Sequence, residues 1–80
     1  MIFDEMIGKA VLLDNGKHYQ VIWALDMESR KFLYLLNADD LSEPLFCEKL
    51  SEVCLEKIND KELLNKVILS INREIKTFIL

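Results

Sequence analysis

Two cysteines and one histidine are the residues that would most readily do chemistry in this sequence. Cys47 and Cys54 are separated by six residues, and His18 is distant from both along the chain. A C-x6-C spacing with a single histidine matches no common metal-binding template. A reactive thiolate needs neighbouring cations to lower its pKa, and the sequence offers no basic cluster around these cysteines. We therefore expect reduced thiols and no metal ligand.

The surroundings of His18 argue against catalysis. General acid–base work requires a histidine close to a nucleophile or a carboxylate partner. Asp14 is near in sequence, but no serine or cysteine accompanies it. With two glycines in the whole chain, the sequence has no glycine-rich phosphate loop and no nucleophile elbow. The prediction is a protein without enzymatic activity, catalytic residues or cofactor.

Three carboxylates, Asp39, Asp40 and Glu43, form a short acidic segment. They lack the Asp-x-Asp-x-Asp-Gly pattern of a calcium loop, so a solvated loop is the ordinary interpretation. They also motivate an alternative function. An acidic phage-type protein could use this segment to block the nucleic-acid-binding site of a host defence or transcription protein.

Length and charge narrow the possibilities further. Eighty residues predict one domain, spanning 1–80. Ten basic and fourteen acidic residues give a net charge of −4. Neither half is basic, which argues against direct nucleic-acid binding. The N-terminus does not resemble a signal peptide, and no apolar run reaches the ~18 residues of a membrane helix. The expectation is a cytoplasmic protein without membrane contact.

The first elements are a turn and a hairpin. Residues 1–8 predict a short helical turn that Asp4 caps and Gly8 ends. The pair Asn15-Gly16 predicts a type I′ turn joining the strand 9–13 to the strand 18–26. With this two-residue loop, Leu12 would lie opposite Tyr19. Together with the segments that follow, residues 9–58 are expected to form an antiparallel meander.

A second turn, at residues 27–30, would pair the returning strand with the next one. Strict alternation then places four side chains on one face of the sheet: Tyr19, Val21, Trp23 and Leu25. It also predicts Leu25 opposite Phe32, Trp23 opposite Tyr34 and Val21 opposite Leu36. The other face collects Ile22, Ala24, Leu33 and Leu35, with Ile22 opposite Leu35. Because both faces are apolar, both must be covered.

Two structures are compatible with residues 45–58. As a hairpin turning at Leu50-Ser51, this segment would place Cys47 opposite Cys54, where a disulfide could form. As a helix, it would carry the two cysteines about two turns, or ~10 Å, apart, too far for a bridge. We favour the hairpin, because an apolar sheet needs more strands than the first three supply.

Residues 59–79 predict the main helix. Asn59 and Glu62 match the N-cap and third position of a capping box, and Ile58 with Leu63 matches a hydrophobic staple. Apolar residues recur at helical spacing from Leu64 onward. The expected fold class is therefore α+β, a small antiparallel β-meander of three to five strands with one C-terminal α-helix packed on the sheet.

The sequence resembles small uncharacterised proteins of Gram-positive bacteria and their phages. The resemblance rests on an IGK-x-V-x-L-x-NGK-x-Y-x-V hairpin, a K-x-LYL-x-N-x-DD strand, an LF strand and a D-x-ELL helix start. It implies a β-meander with one terminal helix. Relatives often have Gly or Asn in the fourth turn, where this chain has Lys49-Leu50-Ser51-Glu52. The resemblance implies no catalytic or binding residues.

The leading functional hypothesis follows from apolar surface. Large apolar patches usually mark interfaces. We expect a non-enzymatic protein–protein interaction module, an adaptor or inhibitor of bacterial or phage origin, that binds a protein partner or forms a homodimer. The residues predicted to bind the partner are Ile22, Ala24, Leu33, Leu35 and Leu69.

Overall fold

The computed structural model describes residues 5–79, and the side chains of residues 5–77. It has the predicted α+β architecture. The strands are β1 (Ala10–Leu12), β2 (His18–Met27), β3 (Arg30–Asn37), β4 (Pro44–Ser51) and β5 (Cys54–Lys57), and the helix is α1 (Lys61–Ile79). The five strands form one sheet in sequence order, each antiparallel to the next. The meander and the C-terminal helix are thus confirmed.

The N-terminal turn is described only in part. Residues 5–8 form a turn in which the Lys9 backbone N–H donates to the Met6 carbonyl oxygen at 3.1 Å. Gly8 ends it with φ +89°, a conformation that side-chain-bearing residues rarely adopt. The cap predicted at Asp4 lies outside the described residues.

The first hairpin differs from its prediction by one residue. Leu12 pairs with His18, not with Tyr19, because the loop contains three residues, Asp14, Asn15 and Gly16. The Gly16 N–H donates to the Leu13 carbonyl at 2.9 Å, and Gly16 alone in this loop has positive φ. This is a type I turn followed by a left-handed glycine. The predicted type I′ turn is therefore wrong here.

A type I′-like turn occurs instead in the second hairpin. Met27 pairs with Arg30, so the loop consists of Glu28 and Ser29, with φ of +55° and +62°. Two-residue hairpin loops require this left-handed geometry to match the twist of the strands. The predicted turn position is confirmed, although its residues carry no glycine or asparagine signal.

A β-bulge in β2 changes which side chains share a face. Val21 pairs with Leu35 and Trp23 pairs with Tyr34, which leaves Ile22 as an extra residue without a partner. The predicted pairs of Val21 with Leu36 and Ile22 with Leu35 are therefore wrong. Because one inserted residue reverses the alternation, Tyr19 and Val21 lie on the opposite face from Trp23 and Leu25.

Residues 44–57 form the predicted hairpin, but it turns later than expected. Ser51 pairs with Cys54, and Cys47 pairs with Lys57. Ser51, the partner of Cys54, lies four residue steps from Cys47 along β4, which corresponds to about 13 Å at the strand rise. A disulfide needs Cα atoms within roughly 7 Å. Both cysteines are free, and the predicted pairing of Cys47 with Cys54 is wrong.

The helix begins at Lys61, one residue later than the predicted cap at Asn59 implies. The Asp60 carboxylate accepts hydrogen bonds from the Glu62 and Leu63 backbone N–H groups at 2.9 and 3.4 Å. Asp60 is therefore the N-cap, and the prediction of Asn59 was wrong. Further along α1, Glu74 accepts a hydrogen bond from the Trp23 indole N–H at 2.9 Å, which fixes the helix over β2.

The two sheet faces build two separate clusters. On the helix face the sheet packs against α1, and the cluster between them contains Trp23, Leu25, Phe32, Ile58, Val67 and Ile71. The inner face lies on the other side of the sheet and contains Tyr19, Val21, Ala24, Leu33, Leu35 and Cys47. Partly buried side chains from the N-terminal turn, β1, β4 and β5 pack over the inner face, including Met6, Val11 and Leu55. The sheet thus curls over its own second face.

Candidate protein-binding groove

The curled sheet leaves a groove of about 710 Å³ above its inner face. Residues of β1 line one side of the groove, and residues of β4 and β5 line the other. Tyr19 and Cys47, both buried, form part of its floor. The groove therefore lies where the first and last strands of the sheet approach each other without pairing.

Two of the residues that line this groove have exposed apolar side chains. Leu12, in β1, is 65% exposed, and Val53, in the β4–β5 turn, is 96% exposed. Water contact at an aliphatic side chain is unfavourable, and complete burial contributes roughly 1.5–3 kcal/mol. Covering Leu12 and Val53 with a partner would therefore favour binding.

Charged side chains also line the groove. The Lys49 ammonium lies 3.6 Å from the Glu52 carboxylate, and Glu43 lies 3.6 Å from Lys17. Lys57 projects from β5 beside Cys47, its pairing partner on β4. A ligand in the groove would therefore meet both apolar and charged side chains.

Of the two thiols in the groove, only one is exposed. Cys47 is 2% exposed, and burial raises its pKa to about 11, although the nearby Lys57 charge opposes this shift. Near neutral pH the Cys47 thiol is thus protonated and a poor nucleophile. Cys54 is exposed on β5. The inner-face thiol is structural, in keeping with the expectation for a reduced core cysteine.

We predict that native protein at pH 8 reacts with a thiol reagent such as DTNB at one cysteine only. Cys54 is exposed, whereas Cys47 is buried and protonated. A Cys54→Ser variant should lose the rapid reaction, and Cys47→Ser should retain it. In denaturant, the wild-type chain should react at both sites. Rapid modification of Cys47 in the folded Cys54→Ser variant would show that the inner face opens readily.

The acidic segment predicted as an alternative binding site forms a compact loop. The Asp40 carboxylate accepts hydrogen bonds from the Ser42 hydroxyl at 2.6 Å and the Ser42 backbone N–H at 3.1 Å, which lower the pKa of Asp40. Buried Asn37 accepts a hydrogen bond from the Asp39 backbone N–H at 2.8 Å. The side chains of Asp40 and Asn37 thus stabilise the loop by hydrogen bonds within it. Its use as a nucleic-acid mimic stays a prediction.

The remaining chemical candidates lie apart from one another. His18 is exposed at the start of β2, opposite Leu12. Among residues 5–79, no group of three or more His, Cys, Asp and Glu side chains could hold a metal ion.

No helix in the described part of the chain is long and apolar enough to cross a membrane.

The residues predicted to bind a partner are largely inaccessible. Leu33 and Leu35 are 0% exposed and Ala24 is buried, because the curled sheet closes over them. Ile22 is half-buried at the bulge, and Leu69 is exposed on α1, outside the groove. The second sheet face is thus covered within the chain, and partner binding through these five residues stays a prediction.

Sequence reasoning missed Leu12 and Val53. A valine in the polar Ser51-Glu52-Val53 segment was a detectable signal, because tight turns favour polar residues, Gly and Pro. Leu12 gave no such signal, since alternation in β1 depends on a hairpin register that the sequence did not determine.

No protein-family model matches the chain, and comparisons with curated proteins and with solved structures found no significant match.

Proposed function

We propose that the protein is a non-enzymatic protein–protein interaction module that binds a partner protein in its inner-face groove. The observation that carries this proposal is the pair of exposed apolar side chains, Leu12 and Val53, in the walls of a 710 Å³ groove. Pockets of roughly 300–1,000 Å³ accommodate a small ligand or a few side chains of a partner.

The chemistry of the groove supports binding over catalysis. Its buried thiol, Cys47, has a pKa of about 11, so it carries little nucleophilic thiolate near neutral pH. Lys49 and Glu43 each form an ion pair at the protein surface. The groove thus presents apolar and charged side chains together, the combination that gives an interface affinity and specificity.

The proposed role is that of an adaptor or inhibitor. The resemblance to proteins of Gram-positive bacteria and their phages suggests such an origin, and a cytoplasmic partner is proposed accordingly. In this role, the module would act by occupying a surface of its partner. A second copy of the chain is the alternative occupant, and it would produce a homodimer.

Affinity capture from a Gram-positive bacterial lysate, with matched surface variants, tests the proposal. The bait would be wild-type protein or the double variant Leu12→Glu/Val53→Glu, which places two carboxylates at the groove. Leu41→Glu and Leu69→Glu are the controls, because these leucines are 68% and 65% exposed and lie outside the groove. Circular dichroism would confirm that every bait is folded.

The expected result is a partner that both control variants retain and the groove variant loses. Sedimentation of the purified wild type would test self-association, and a dimer broken by the groove variant would identify the second copy as occupant. Loss with Leu69→Glu alone would place the interface on α1 and contradict the groove. Equal capture by all four baits would overturn the proposal.

A further inference from the structure

In the part of the chain that the structure describes, β5 is the last strand of the sheet and no strand pairs with its outer edge. This free edge suggests what kind of structure the groove accepts, an inference that rests on the proposed function. The Ile58 backbone N–H donates to the Phe46 carbonyl at 3.0 Å, so residues 58 and 46 form a hydrogen-bonded pair. Hydrogen-bonded and non-hydrogen-bonded pairs alternate along an antiparallel ladder. Leu55 and Lys57, which pair with Lys49 and Cys47, are therefore in non-hydrogen-bonded positions. Their backbone N–H and C=O groups point away from β4.

On the opposite side of the groove, β1 is the other edge strand of the sheet that residues 5–79 form. Val21 donates its backbone N–H to the Lys9 carbonyl, and Leu13 donates to the Lys17 carbonyl. By the same alternation, the backbone groups of Ala10 and Leu12 point away from β2. Because consecutive strands of the meander are antiparallel, β1 and β5 run in the same direction. A single extended segment between them would be antiparallel to both.

We propose that the groove binds an extended peptide segment of a partner protein, which adds to β5 as a sixth, antiparallel strand. Backbone donors and acceptors that alternate along an edge are matched by another extended backbone, the mode known as β-augmentation. The edge strand β5 is the better site, because β1 has only three residues and an irregular start. There, Val21 bonds to both Gly8 and Lys9.

The side chains around β5 define the preferred peptide. Leu55 packs on the inner-face cluster beside the groove, so alternate apolar residues of the peptide would extend that cluster. Lys57 lines the groove on the same strand. An acidic residue facing Lys57 would gain a favourable cross-strand charge pair. The occupant is thus an extended segment with alternating apolar residues and at least one Asp or Glu.

Substitutions at Lys57 separate backbone pairing from charge. Lys57→Pro removes an outward N–H without removing a ladder hydrogen bond, a change that edge strands tolerate. Lys57→Ala removes the same charge and retains the N–H. The probe would be a seven-residue peptide selected from a random phage-displayed library on wild-type protein and then synthesised. Its Kd would be measured for the wild type and both variants.

We expect the selected peptide to alternate apolar residues and to carry an acidic one. The Kd for Lys57→Pro should be at least tenfold higher than for Lys57→Ala. In the wild type, the peptide should slow amide hydrogen exchange at Leu55 and Lys57 more than at Glu56, whose N–H already faces β4. If Lys57→Pro does not fold, hydrogen exchange in the wild type alone tests whether the peptide pairs with β5.

Failure to select any binding peptide, equal Kd values for the two variants, or unchanged exchange at Leu55 and Lys57 would overturn strand addition. These failures are distinguishable from failure of the proposed function. If captured partner still depends on Leu12 and Val53, the groove remains the interface, and only the extended conformation of the occupant is wrong.

Discussion

Replacing Leu35 with glutamate is expected to unfold the protein under conditions in which the wild-type chain is folded. Leu35 is 0% exposed on the inner face of the sheet. Loss of a buried leucine side chain costs about 2–5 kcal/mol, and burial of an unpaired carboxylate adds a further penalty. A domain of this length has a total stability of roughly 4–12 kcal/mol. The substitution therefore removes most or all of it.

Urea denaturation followed by circular dichroism measures this effect. Leu69→Glu is the matched control, because Leu69 is 65% exposed on α1 and should shift stability by no more than about 0.5 kcal/mol. A folded Leu35→Glu monomer with a wild-type midpoint would contradict the closed inner face. Such a result would return Leu35 to the set of partner-binding candidates.

Deletion of Ile22 is expected to destabilise the protein more than truncation of its side chain, out of a total stability of roughly 4–12 kcal/mol. Ile22 is the unpaired residue of the bulge in β2. Without it, Val21 and Trp23 become adjacent, and regular alternation still places them on opposite faces. The deletion instead removes the bend and added twist that a bulge gives a strand, and with them part of the curl that covers the inner face.

The substitution Ile22→Ala separates the role of the bulge from that of the side chain. Ile22 is half-buried, so its truncation should cost only about 1–2 kcal/mol, below the range for fully buried positions. Thermal unfolding of the deletion and the substitution, compared with wild type, would show the difference. Similar losses for the two variants would mean that the backbone accommodates the missing residue and that the bulge is dispensable.

The sequence determined the elements and their order. The apolar periods distinguish strands from helix, and a polar or glycine-containing segment separates one predicted element from the next. These local patterns were sufficient for an α+β meander with a C-terminal helix. They were also sufficient for the second hairpin, where burial of Leu25 and Phe32 in the same cluster agrees with the pairing inferred from alternation.

Only the tertiary structure decided between local alternatives that the sequence permits equally well, such as two loop lengths or two adjacent N-cap residues. Asn15-Gly16 can form part of a two-residue or a three-residue loop. The three-residue loop is the one that pairs Val11 with buried Tyr19 across β1 and β2. Asn59 and Asp60 are both good N-caps, and the position of Ile58 in the helix-face cluster leaves Asp60 at the helix start. Local propensity does not separate such alternatives.

The location of the candidate site was the feature that the sequence predicted least well, because it too depends on tertiary structure. The apolar second face of the sheet indicated that something must cover it, and the sequence was interpreted in favour of a partner. The bulge at Ile22 and the curl of the sheet instead bring β1 and β5 over that face, so Leu33 and Leu35 are buried within one chain. Sheet curvature arises from the combined twist and bulges of all strands. The sequence therefore determined how much apolar surface exists, whereas the tertiary structure decided that Leu12 and Val53 present it to solvent.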